Sequence, residues 1–346
     1  MATMNALVYT KPGQIVMREV EKPTPGPGQL LVEVAAVGIC GSELDGFLGK
    51  SRKRKPPLVM GHEFAGEIAG VGQPVPSRAD EFGITSGRVV VNPLVTCGEC
   101  PPCLAGRSNI CPNRRLIGMD GGPGAFAQYV VVPTEHAIAL PESISFAAGT
   151  FVDPLATVVH AIGKVKHGGG SALVIGAGTI GLLSIRVLTL LGHRYIAAAE
   201  PNARRRELAI SFGASDVLDP LDTRGAAELR KIAEDEIELV VDAVGTGKSR
   251  ADAVELVTPG GRILCIGQKD GENYSDSRDM VTKELTLQGS YAYTNDDFAG
   301  AIRLLADRQV EPQPLITEMP LSEGPGAFAE LTANPGTNLT KVVLTP

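Results

Sequence analysis

The sequence contains no tryptophan, and only 4% of its 346 residues are aromatic. This shortage disfavours a large aromatic substrate pocket. The formal net charge is −7, so the composition gives no electrostatic reason to expect a nucleic-acid partner. Internal repeats and low-complexity tracts are also absent. With 43% hydrophobic and 21% charged residues, the chain has the composition of a globular protein with one large or two ordinary domains.

The patterns of secreted and membrane proteins are missing as well. The first residues, MATMNALVYTKPG, hold no basic stretch followed by an apolar run, so we expect no signal peptide. One uncharged stretch, from Gly168 up to Arg186, is interrupted by glycines and fits a dinucleotide-binding turn better than a membrane span. We therefore expect a cytoplasmic protein without a membrane partner, in which clustered cysteines are metal ligands or redox thiols before they are disulfides.

Two patterns of secondary structure follow one another along the chain. Short β-type runs, such as LLVEVAAVG and AFAQYVVVP, are separated by Gly and Pro up to about Pro141, which predicts a rolled, mostly antiparallel β unit. From Ser171 strands and helices alternate in βαβ order, which predicts a parallel, doubly wound sheet. The sequence thus predicts an α/β fold with a β-rich domain at 1–150 and 286–346 and a dinucleotide-binding domain at 151–285.

A glycine-rich turn indicates a dinucleotide site. In LVIGAGTIGLLSI the glycines stand in G-x-G-x-x-G register between an apolar strand and a helix, and an acidic residue ends the next strand. The three glycines make the tight turn, admit a pyrophosphate to the backbone and allow helix–strand packing, while the terminal carboxylate binds the adenosine ribose. That carboxylate would repel a 2′-phosphate, which favours NAD, although the arginines that follow keep NADP as the alternative. The predicted cofactor-binding residues are Gly176, Gly178, Ile180, Gly181, Glu200 and Arg205.

Four of the six cysteines lie in one short segment, VTCGECPPCLAGRSNIC, with the spacing Cys-x2-Cys-x2-Cys-x7-Cys. Four thiolates suit a closed tetrahedral Zn²⁺ site, which is structural because no coordination position stays open. Disulfides would need an oxidising compartment, a redox pair would not need four thiols, and an iron–sulfur cluster is the remaining rival. The spacing therefore predicts a structural zinc held by Cys97, Cys100, Cys103 and Cys111.

Other metal-ligating residue types are scattered outside this loop, and each has a plain alternative. A lone cysteine is usually buried filler, and an Asp before Pro is a common start of a helix. Spacing alone cannot join such distant residues. However, GICGSE, GHEFAGEIAGVG, the cysteine loop, GGPGAFAQYVVVP, VIGAGTIGLL and KELTLQGS occur in this order across nearly the whole chain. In this combination the sequence resembles the zinc-dependent medium-chain alcohol dehydrogenase family.

The resemblance implies a GroES-like catalytic domain followed by a Rossmann domain, with the last segment returning to the first domain. It implies Cys40 and His62 as ligands of a catalytic zinc, so that the chain would hold two zinc ions. Glu63 and Asp153 compete for the remaining ligand position, or one of them acts through water. The Asp-Pro pair at residues 153 and 154 is similar to the polyol and threonine dehydrogenase branch, whereas the classical alcohol dehydrogenases have cysteine at this position.

The same resemblance implies a proton relay that starts at the Ser42 hydroxyl. Many members complete the relay with a histidine where this chain has Asp45, so we hypothesise that Asp45 or water replaces it. Zn²⁺ with an open coordination position makes an alcohol easier to deprotonate, and the alcohol then gives hydride to the nicotinamide. The implied function is hydride transfer between NAD and a small secondary alcohol, polyol, phosphorylated polyol or amino alcohol, in a homodimer or homotetramer.

Several alternatives stay open at this stage. An NADP-dependent alcohol or ketone reductase, a zinc-independent quinone or enoyl reductase, and a zinc-clamped binding protein could each share parts of the pattern. The acidic net charge disfavours the last, and the scattered Cys, His, Glu and Asp residues disfavour the second. The basic segment GKSRKRKPP either steers an anionic substrate or is a solvated loop.

Overall fold

The computed structural model describes residues 2–73, 87–165, 168–234, 237–269, 278–334 and 336–346. The chain divides into two compact units, the first comprising residues up to Asp153 together with Thr294–Pro346, and the second Pro154–Tyr293. The strands are β1 (Thr3–Lys11), β2 (Gln14–Glu21), β3 (Gln29–Gly38), β4 (Leu58–Val59), β5 (Glu63–Val71), β6 (Arg88–Val91), β7 (Leu94–Val95), β8 (Arg115–Leu116), β9 (Tyr129–Pro133), β10 (Ala137–Ala139), β11 (Ser171–Ile175), β12 (Tyr195–Ala199), β13 (Asp216–Leu218), β14 (Leu239–Asp242), β15 (Arg262–Cys265), β16 (Thr286–Gly289), β17 (Ile316–Pro320) and β18 (Lys341–Thr345).

Helices connect these strands and cover the sheets. They are α1 (Gly41–Phe47), α2 (Pro101–Leu104), α3 (Phe146–Gly149), α4 (Val152–Gly163), α5 (Thr179–Leu190), α6 (Ala203–Phe212), α7 (Thr223–Glu234), α8 (Gly247–Leu256), α9 (Arg278–Thr282), α10 (Asn295–Ala306) and α11 (Gly324–Ala333). Short 3₁₀ turns lie at Ser108–Ile110, Thr134–His136, Gln313–Leu315 and Leu321–Glu323.

The first unit is built on a largely antiparallel seven-stranded sheet with the order β10-β6-β5-β3-β18-β17. The seventh strand, β9, pairs with the first half of β3, whereas β18 pairs with its end. Only β17 and β18 run parallel within it. A three-stranded sheet, β2-β1-β4, packs on the same core. At its centre the Phe328 ring lies 5.4 Å from Phe47 and 5.6 Å, edge-on, from Phe126. The predicted rolled β unit is thus confirmed, and it brings the end of β3 and the starts of β5 and β18 together.

The second unit is a six-stranded sheet with the order β13-β12-β11-β14-β15-β16, and every pairing in it is parallel. Strand β11 (SALVI) is buried at all five positions, as expected where helices cover both faces of a parallel sheet. The chain leaves β11 in one direction through β12 and β13 and returns to the other side at β14. This reversal is the topological switch point at which doubly wound sheets bind their ligands.

The boundary of the second unit differs from the one predicted. The sequence placed the return to the first domain at residue 286, but Thr286–Gly289 forms β16 and pairs along its length with β15. The unit then extends to Tyr293. The reason is that TLQG, although short, continues the βαβ order after α9 and covers the open side of β15.

One helical stretch among the described residues, Phe146–Gly163, is apolar and long enough to resemble a membrane span, with a mean hydropathy of 1.3. However, 72% of this stretch is buried inside the protein. Its apolar side chains, such as Phe151 and Leu155, are fully covered by the fold. The stretch therefore has the burial of a core helix, whose composition passes the same test.

Candidate metal and dinucleotide sites

Three of the predicted ligands lie together in the first unit. Cys40 caps the N-terminus of α1 shortly after β3, while His62 directly precedes β5 and Glu63 begins it. Their ligand atoms all lie within 4.8 Å of one another, and both His62 and Glu63 are buried. A thiol, an imidazole and a carboxylate form a set that Zn²⁺ accepts, with room for a fourth ligand in a tetrahedral shell. Asp153, at the second residue of α4, is half-buried and does not belong to this group.

A close approach of two backbone segments places His62. The preceding residue, Gly61, has φ +103°, and a Cβ there would lie 2.6 Å from the backbone nitrogen of Phe126. On the other side, a Cβ at Gly124 would lie 2.4 Å from the carbonyl oxygen of Gly61. Only glycine fits at these two positions. The backbone of GHEF therefore packs directly against the backbone of GGPGAF, and this contact fixes the position of His62.

The buried carboxylate of Glu43 organises the site from behind, and the sequence analysis did not identify it. Its Oε1 lies 2.8 Å from His62 Nδ1 and accepts the Gly61 N–H at 2.8 Å, while its Oε2 accepts the Cys40 N–H at 3.0 Å. The contact with Nδ1 leaves Nε2 of His62 as the nitrogen available to a metal. Such a carboxylate–histidine contact orients the ring and makes the ligand more basic.

The electrostatics of this site favour a cation. Burial alone would lower the pKa of His62, but the Glu43 carboxylate and the Cys40 side chain raise it well above its usual value. For Glu43, burial opposes ionisation, yet His62 and the Arg54 guanidinium lower the pKa below its usual value. A positive charge at His62 is thus stabilised by its surroundings, and a bound Zn²⁺ would supply that charge with the imidazole neutral.

A second unpredicted residue, Lys341, pairs with Glu63. Lys341 begins β18, is only 2% exposed, and its Nζ forms an ion pair with Glu63 and donates to the Ile39 carbonyl oxygen at 3.2 Å. Burial would lower the pKa of this ammonium, but Glu63 and Cys40 raise it above its usual value. Lys341 therefore stays charged. A metal ion bound by Cys40, His62 and Glu63 would share the Glu63 carboxylate with this ammonium group.

The two residues of the predicted relay both lie on α1. The Ser42 hydroxyl is solvent-exposed and lies 3.3 Å from Cys40 Sγ. Asp45 is half-buried and follows Ser42 by three residues on α1. Residues three apart are neighbours on the same face of a helix. This places a carboxylate one turn beyond the hydroxyl, where the resemblance led us to expect a histidine.

The basic segment between the ligand-bearing strands is not uniform. Arg54 is 3% exposed and donates to Ser42, whereas Lys53 pairs with Asp120 at 2.9 Å. Lys50, Arg52 and Lys55 are exposed. Lys53 is exposed too, but its charge is paired with Asp120, so Lys50, Arg52 and Lys55 are better suited to steer an anionic substrate. Arg54 has a different environment from the one expected.

The four clustered cysteines fit a closed zinc site. Neighbouring sulfurs are separated by 3.4 Å (Cys100–Cys103), 3.7 Å (Cys100–Cys111) and 3.5 Å (Cys111–Cys97). Sulfurs placed ~2.3 Å from a central Zn²⁺ lie ~3.8 Å apart at the corners of a tetrahedron, whereas disulfide sulfurs are ~2.05 Å apart. All four thiols are free of disulfides. The spacing observed is that of metal ligands.

The thiols of this loop also differ in acidity. Hydrogen bonds from the backbone N–H groups of Glu99 and Cys100 lower the pKa of Cys97 to about 6. At Cys100 a backbone hydrogen bond opposes the shift, but burial and the neighbouring thiols raise the pKa to about 12. Four sulfurs this close cannot all ionise without a cation among them, which is what a bound Zn²⁺ provides.

The glycine-rich turn of the second unit has the geometry of a dinucleotide site. Gly176 has φ +88°, and a Cβ at Gly181 would lie 1.8 Å from the Gly176 carbonyl oxygen, so the strand–helix turn requires glycine at both positions. By contrast, a Cβ at Gly178, the N-cap of α5, would meet nothing within 4 Å. The space beside Gly178, at a helix N-terminus, is where a pyrophosphate is expected. Ile180 lies in the first turn of α5, beside this space.

The predicted ribose carboxylate lies beside this turn. Glu200 follows β12, is 5% exposed, and accepts the backbone N–H groups of Ala177 (2.7 Å) and Asn202 (2.9 Å). Among the arginines after it, Arg204 forms an ion pair with Glu207, and Arg206 forms one with Asp219. Arg205, in the first turn of α6, is half-buried and has its backbone N–H bonded to the Asn202 side chain.

Comparison with known proteins agrees with both units. Residues 26–142 match the Alcohol dehydrogenase GroES-like domain family, and residues 179–307 match the Zinc-binding dehydrogenase family. The chain is 33% identical to the L-threonine 3-dehydrogenase of Pyrococcus horikoshii over 322 residues, 91% of this chain and 90% of that protein. It is 31% identical to the L-galactonate-5-dehydrogenase of Escherichia coli K12, with 92% of each chain covered.

A solved structure extends the similarity to the whole chain. An alcohol dehydrogenase from Escherichia coli CFT073, complexed with NADH, superposes with a TM-score of 0.89 at 29% identity over 100% of both chains. The expected zinc and nicotinamide cofactors are those of this family, and the two cysteine-containing clusters supply matching donors. The chain therefore belongs to the zinc-dependent medium-chain alcohol dehydrogenase family and is an NAD(P)-dependent oxidoreductase that acts on CH–OH groups.

Proposed function

We propose that this dehydrogenase oxidises a secondary hydroxyl group of a small polyol, sugar acid or amino alcohol with NAD, at a Zn²⁺ held by Cys40, His62 and Glu63. The observation that carries the proposal is the convergence of these three ligand atoms within 4.8 Å, with Glu43 behind His62. Glu63 is preferred to Asp153 as the third protein ligand because only Glu63 belongs to that group. Asp153 keeps the alternative role of acting through water.

The protein's own residues perform the binding and proton steps. When bound, Zn²⁺ supplies a Lewis acid that eases loss of the hydroxyl proton, and NAD accepts the hydride. Glu43 holds the His62 ring so that Nε2 faces the ligand group, and Lys341 limits how strongly Glu63 can bind. Ser42, exposed beside Cys40, accepts the substrate's proton and passes its own to Asp45 or to water.

The relatives and the basic segment support this substrate class. The names of the two relatives specify secondary hydroxyls, on C3 of threonine and on C5 of galactonate, and both compounds carry a carboxylate. The exposed Lys50, Arg52 and Lys55 would attract a substrate with that charge. These cations would not attract a neutral polyol. The KM of a carboxylated substrate should therefore depend on salt concentration, whereas the KM of a neutral polyol should not.

A spectrophotometric assay of NADH formation tests the substrate class. We expect turnover with secondary alcohols such as L-threonine, L-galactonate or polyols to exceed turnover with primary alcohols of equal size, and chelator treatment to abolish it. For a carboxylated substrate, KM should rise with salt in the wild type and less so in a Lys50→Gln/Arg52→Gln/Lys55→Gln variant. Equal activity on primary and secondary alcohols, or activity that persists after zinc removal, would contradict the proposal.

The cofactor preference rests on Glu200. A 2′-phosphate next to this buried carboxylate would place two negative charges together, so we expect NAD to be used at least ten times more efficiently than NADP, or about 1.4 kcal/mol. Glu200→Gln should bring the two kcat/KM values closer, mainly through loss of NAD efficiency. An exposed glutamate on the following helix, Glu207, provides the control as Glu207→Gln. A wild-type preference for NADP would refute this assignment.

Assembly and location are further proposals. Within the described part of the chain, β16 pairs only with β15 and so leaves one strand edge open, a feature that supports assembly through this sheet. We therefore propose a homodimer or homotetramer, with light scattering of the purified protein as the test. The cytoplasmic location is a separate proposal, which rests on the free cysteines.

A further inference from the structure

Arg54 is a buried cation whose charge acts on the Glu43 carboxylate, but the two groups form no direct salt bridge. The residue is 3% exposed, and no carboxylate of the described residues lies within ion-pair distance of its guanidinium. Its Nε–H is buried and, among the described residues, has no hydrogen-bond acceptor. A buried, incompletely satisfied charge costs stability. A charge that lowers stability is expected mainly at functional positions. The contacts made by the other nitrogens of the Arg54 guanidinium therefore indicate its function.

Both terminal nitrogens of Arg54 contact the same residue, Ser42. Nη1 donates to the Ser42 carbonyl oxygen at 3.0 Å, and Nη2 donates to the Ser42 Oγ at 3.1 Å. The aliphatic part of Arg54 crosses α1 at Gly46, where a Cβ would lie 2.5 Å from Arg54 Cδ. Glycine inside a helix is unfavourable, but here it gives the arginine its path to Ser42. The guanidinium is thereby held against Ser42 by two hydrogen bonds, one of them to the hydroxyl, and by the groove at Gly46.

The chemistry of the two groups fixes the direction of the hydroxyl. A serine hydroxyl has one proton and two lone pairs, and a guanidinium has donors only. Ser42 Oγ must therefore accept from Arg54, and its own proton must point elsewhere; the group in reach is Cys40 Sγ at 3.3 Å. One lone pair stays free. The hydroxyl can then receive one proton and release one, in a direction set by Arg54.

We propose that Arg54 is a positioning residue that orients the Ser42 hydroxyl for proton transfer in alcohol oxidation. The inference rests on the proposed function, in which Ser42 takes the substrate's proton. As the substrate O–H proton binds to the free lone pair of Ser42 Oγ, the original Ser42 proton leaves to water or to Asp45. The Oγ carries one proton before and after, and Arg54 stays protonated throughout. Without Arg54 the hydroxyl would keep only its contact with Cys40 Sγ, and it could turn to present its proton to the substrate instead.

Kinetics of the zinc-loaded enzyme test the proposal. Arg54→Met should lower kcat by about tenfold to a hundredfold, with KM changed less than threefold, and should enlarge the solvent deuterium isotope effect on kcat. Gly46→Ala, which obstructs Arg54 without removing it, should shift both quantities in the same direction. Arg88 provides the control, since it is a partly buried arginine that donates to the Ile144 carbonyl oxygen at 2.6 Å. Arg88→Met should lose stability but keep kcat and the isotope effect.

A thermal double-mutant cycle tests the contact without relying on activity. Ser42→Ala and Arg54→Met each remove the shared hydrogen bond, so the double variant should lose less than the sum of the two single losses, with a difference of about 2–4 °C in Tm. Additive losses would overturn the proposal even if the wild type oxidised none of the alcohols in the panel. With an active wild type, unchanged kcat and isotope effect in Arg54→Met would overturn it and leave the proposed function intact.

Discussion

At the scale of single residues, the metal site depends on side chains that do not bind the metal. Glu43 accepts three contacts, from Cys40, Gly61 and His62, and so ties the end of β3 to the start of β5. Lys341 reaches the same site from β18. A local sequence pattern cannot reveal these partners because their proximity depends on the pairing of distant strands. The only local signal for Glu43 is its place three residues after Cys40, at the start of a helix.

The first prediction concerns Glu43. Glu43→Gln keeps the shape of the side chain but removes the charge beside His62 Nδ1, so zinc at the Cys40 site should be lost about 10–100 times more readily to a competing chelator. Activity should fall in parallel, while the cysteine-loop zinc stays bound. Glu67→Gln, an equivalent change at an exposed position of β5, should leave zinc retention unchanged. Equal zinc retention in the two variants would show that Glu43 does not support the site.

The second prediction concerns pH and His136, which belongs to neither of the two clusters of metal-ligating residues. Burial lowers the pKa of His136 below its usual value, although Nδ1 faces the Asn92 carbonyl oxygen at 2.9 Å. The unfolded chain then binds a proton below about pH 6.5 that the folded chain does not, so stability should fall as pH decreases through this range.

Urea unfolding at about pH 7.5 and pH 5.5 measures this effect. The wild type should lose more free energy of unfolding between the two pH values than His136→Gln does, by up to about 1 kcal/mol, because glutamine does not titrate. Equal losses in the two proteins would mean that His136 does not contribute to the pH dependence.

At the scale of elements, the glycines of the glycine-rich turn have two different roles, close packing of the backbone and space for the cofactor. Gly181 lies against the Gly176 carbonyl oxygen, whereas Gly178 faces open space. The sequence predicted the strand, turn and helix correctly because a fully buried strand and a helix N-terminus have strong local signals. The sequence-based prediction ended the second unit at residue 285, before β16. This strand has only four residues, and its pairing with β15 depends on tertiary structure that a local pattern does not show.

The third prediction uses this pair of glycines. Gly181→Ala should destabilise the second unit by several kcal/mol or prevent folding, since its Cβ would overlap a backbone oxygen. Gly178→Ala should leave Tm within about 2 °C but weaken NAD binding by at least tenfold, because the new methyl group occupies the space expected for the pyrophosphate. Calorimetric titration with NAD measures the second effect. Undiminished NAD affinity in Gly178→Ala would place the pyrophosphate elsewhere.

At the scale of the whole molecule, two units with different sheets supply two kinds of chemistry. The first brings together one closed set of four sulfurs and one open set of three mixed donors. The second presents a glycine-rich turn and a carboxylate for the cofactor. The closed set was predictable from cysteine spacing within one loop. The open set was predicted only through the family resemblance, because Cys40 follows β3 and His62 precedes β5, and nothing local connects them.

Zinc content measured together with activity tests the central claim, that Cys40, His62 and Glu63 hold the catalytic ion. Plasma emission analysis of freshly purified wild type should give two zinc ions per chain and NAD-dependent alcohol oxidation. His62→Ala should give one zinc ion, an unchanged cysteine-loop site and a loss of kcat of at least a thousandfold. A His62→Ala protein that still holds two zinc ions, or that holds one and oxidises alcohols at the wild-type rate, would contradict the account.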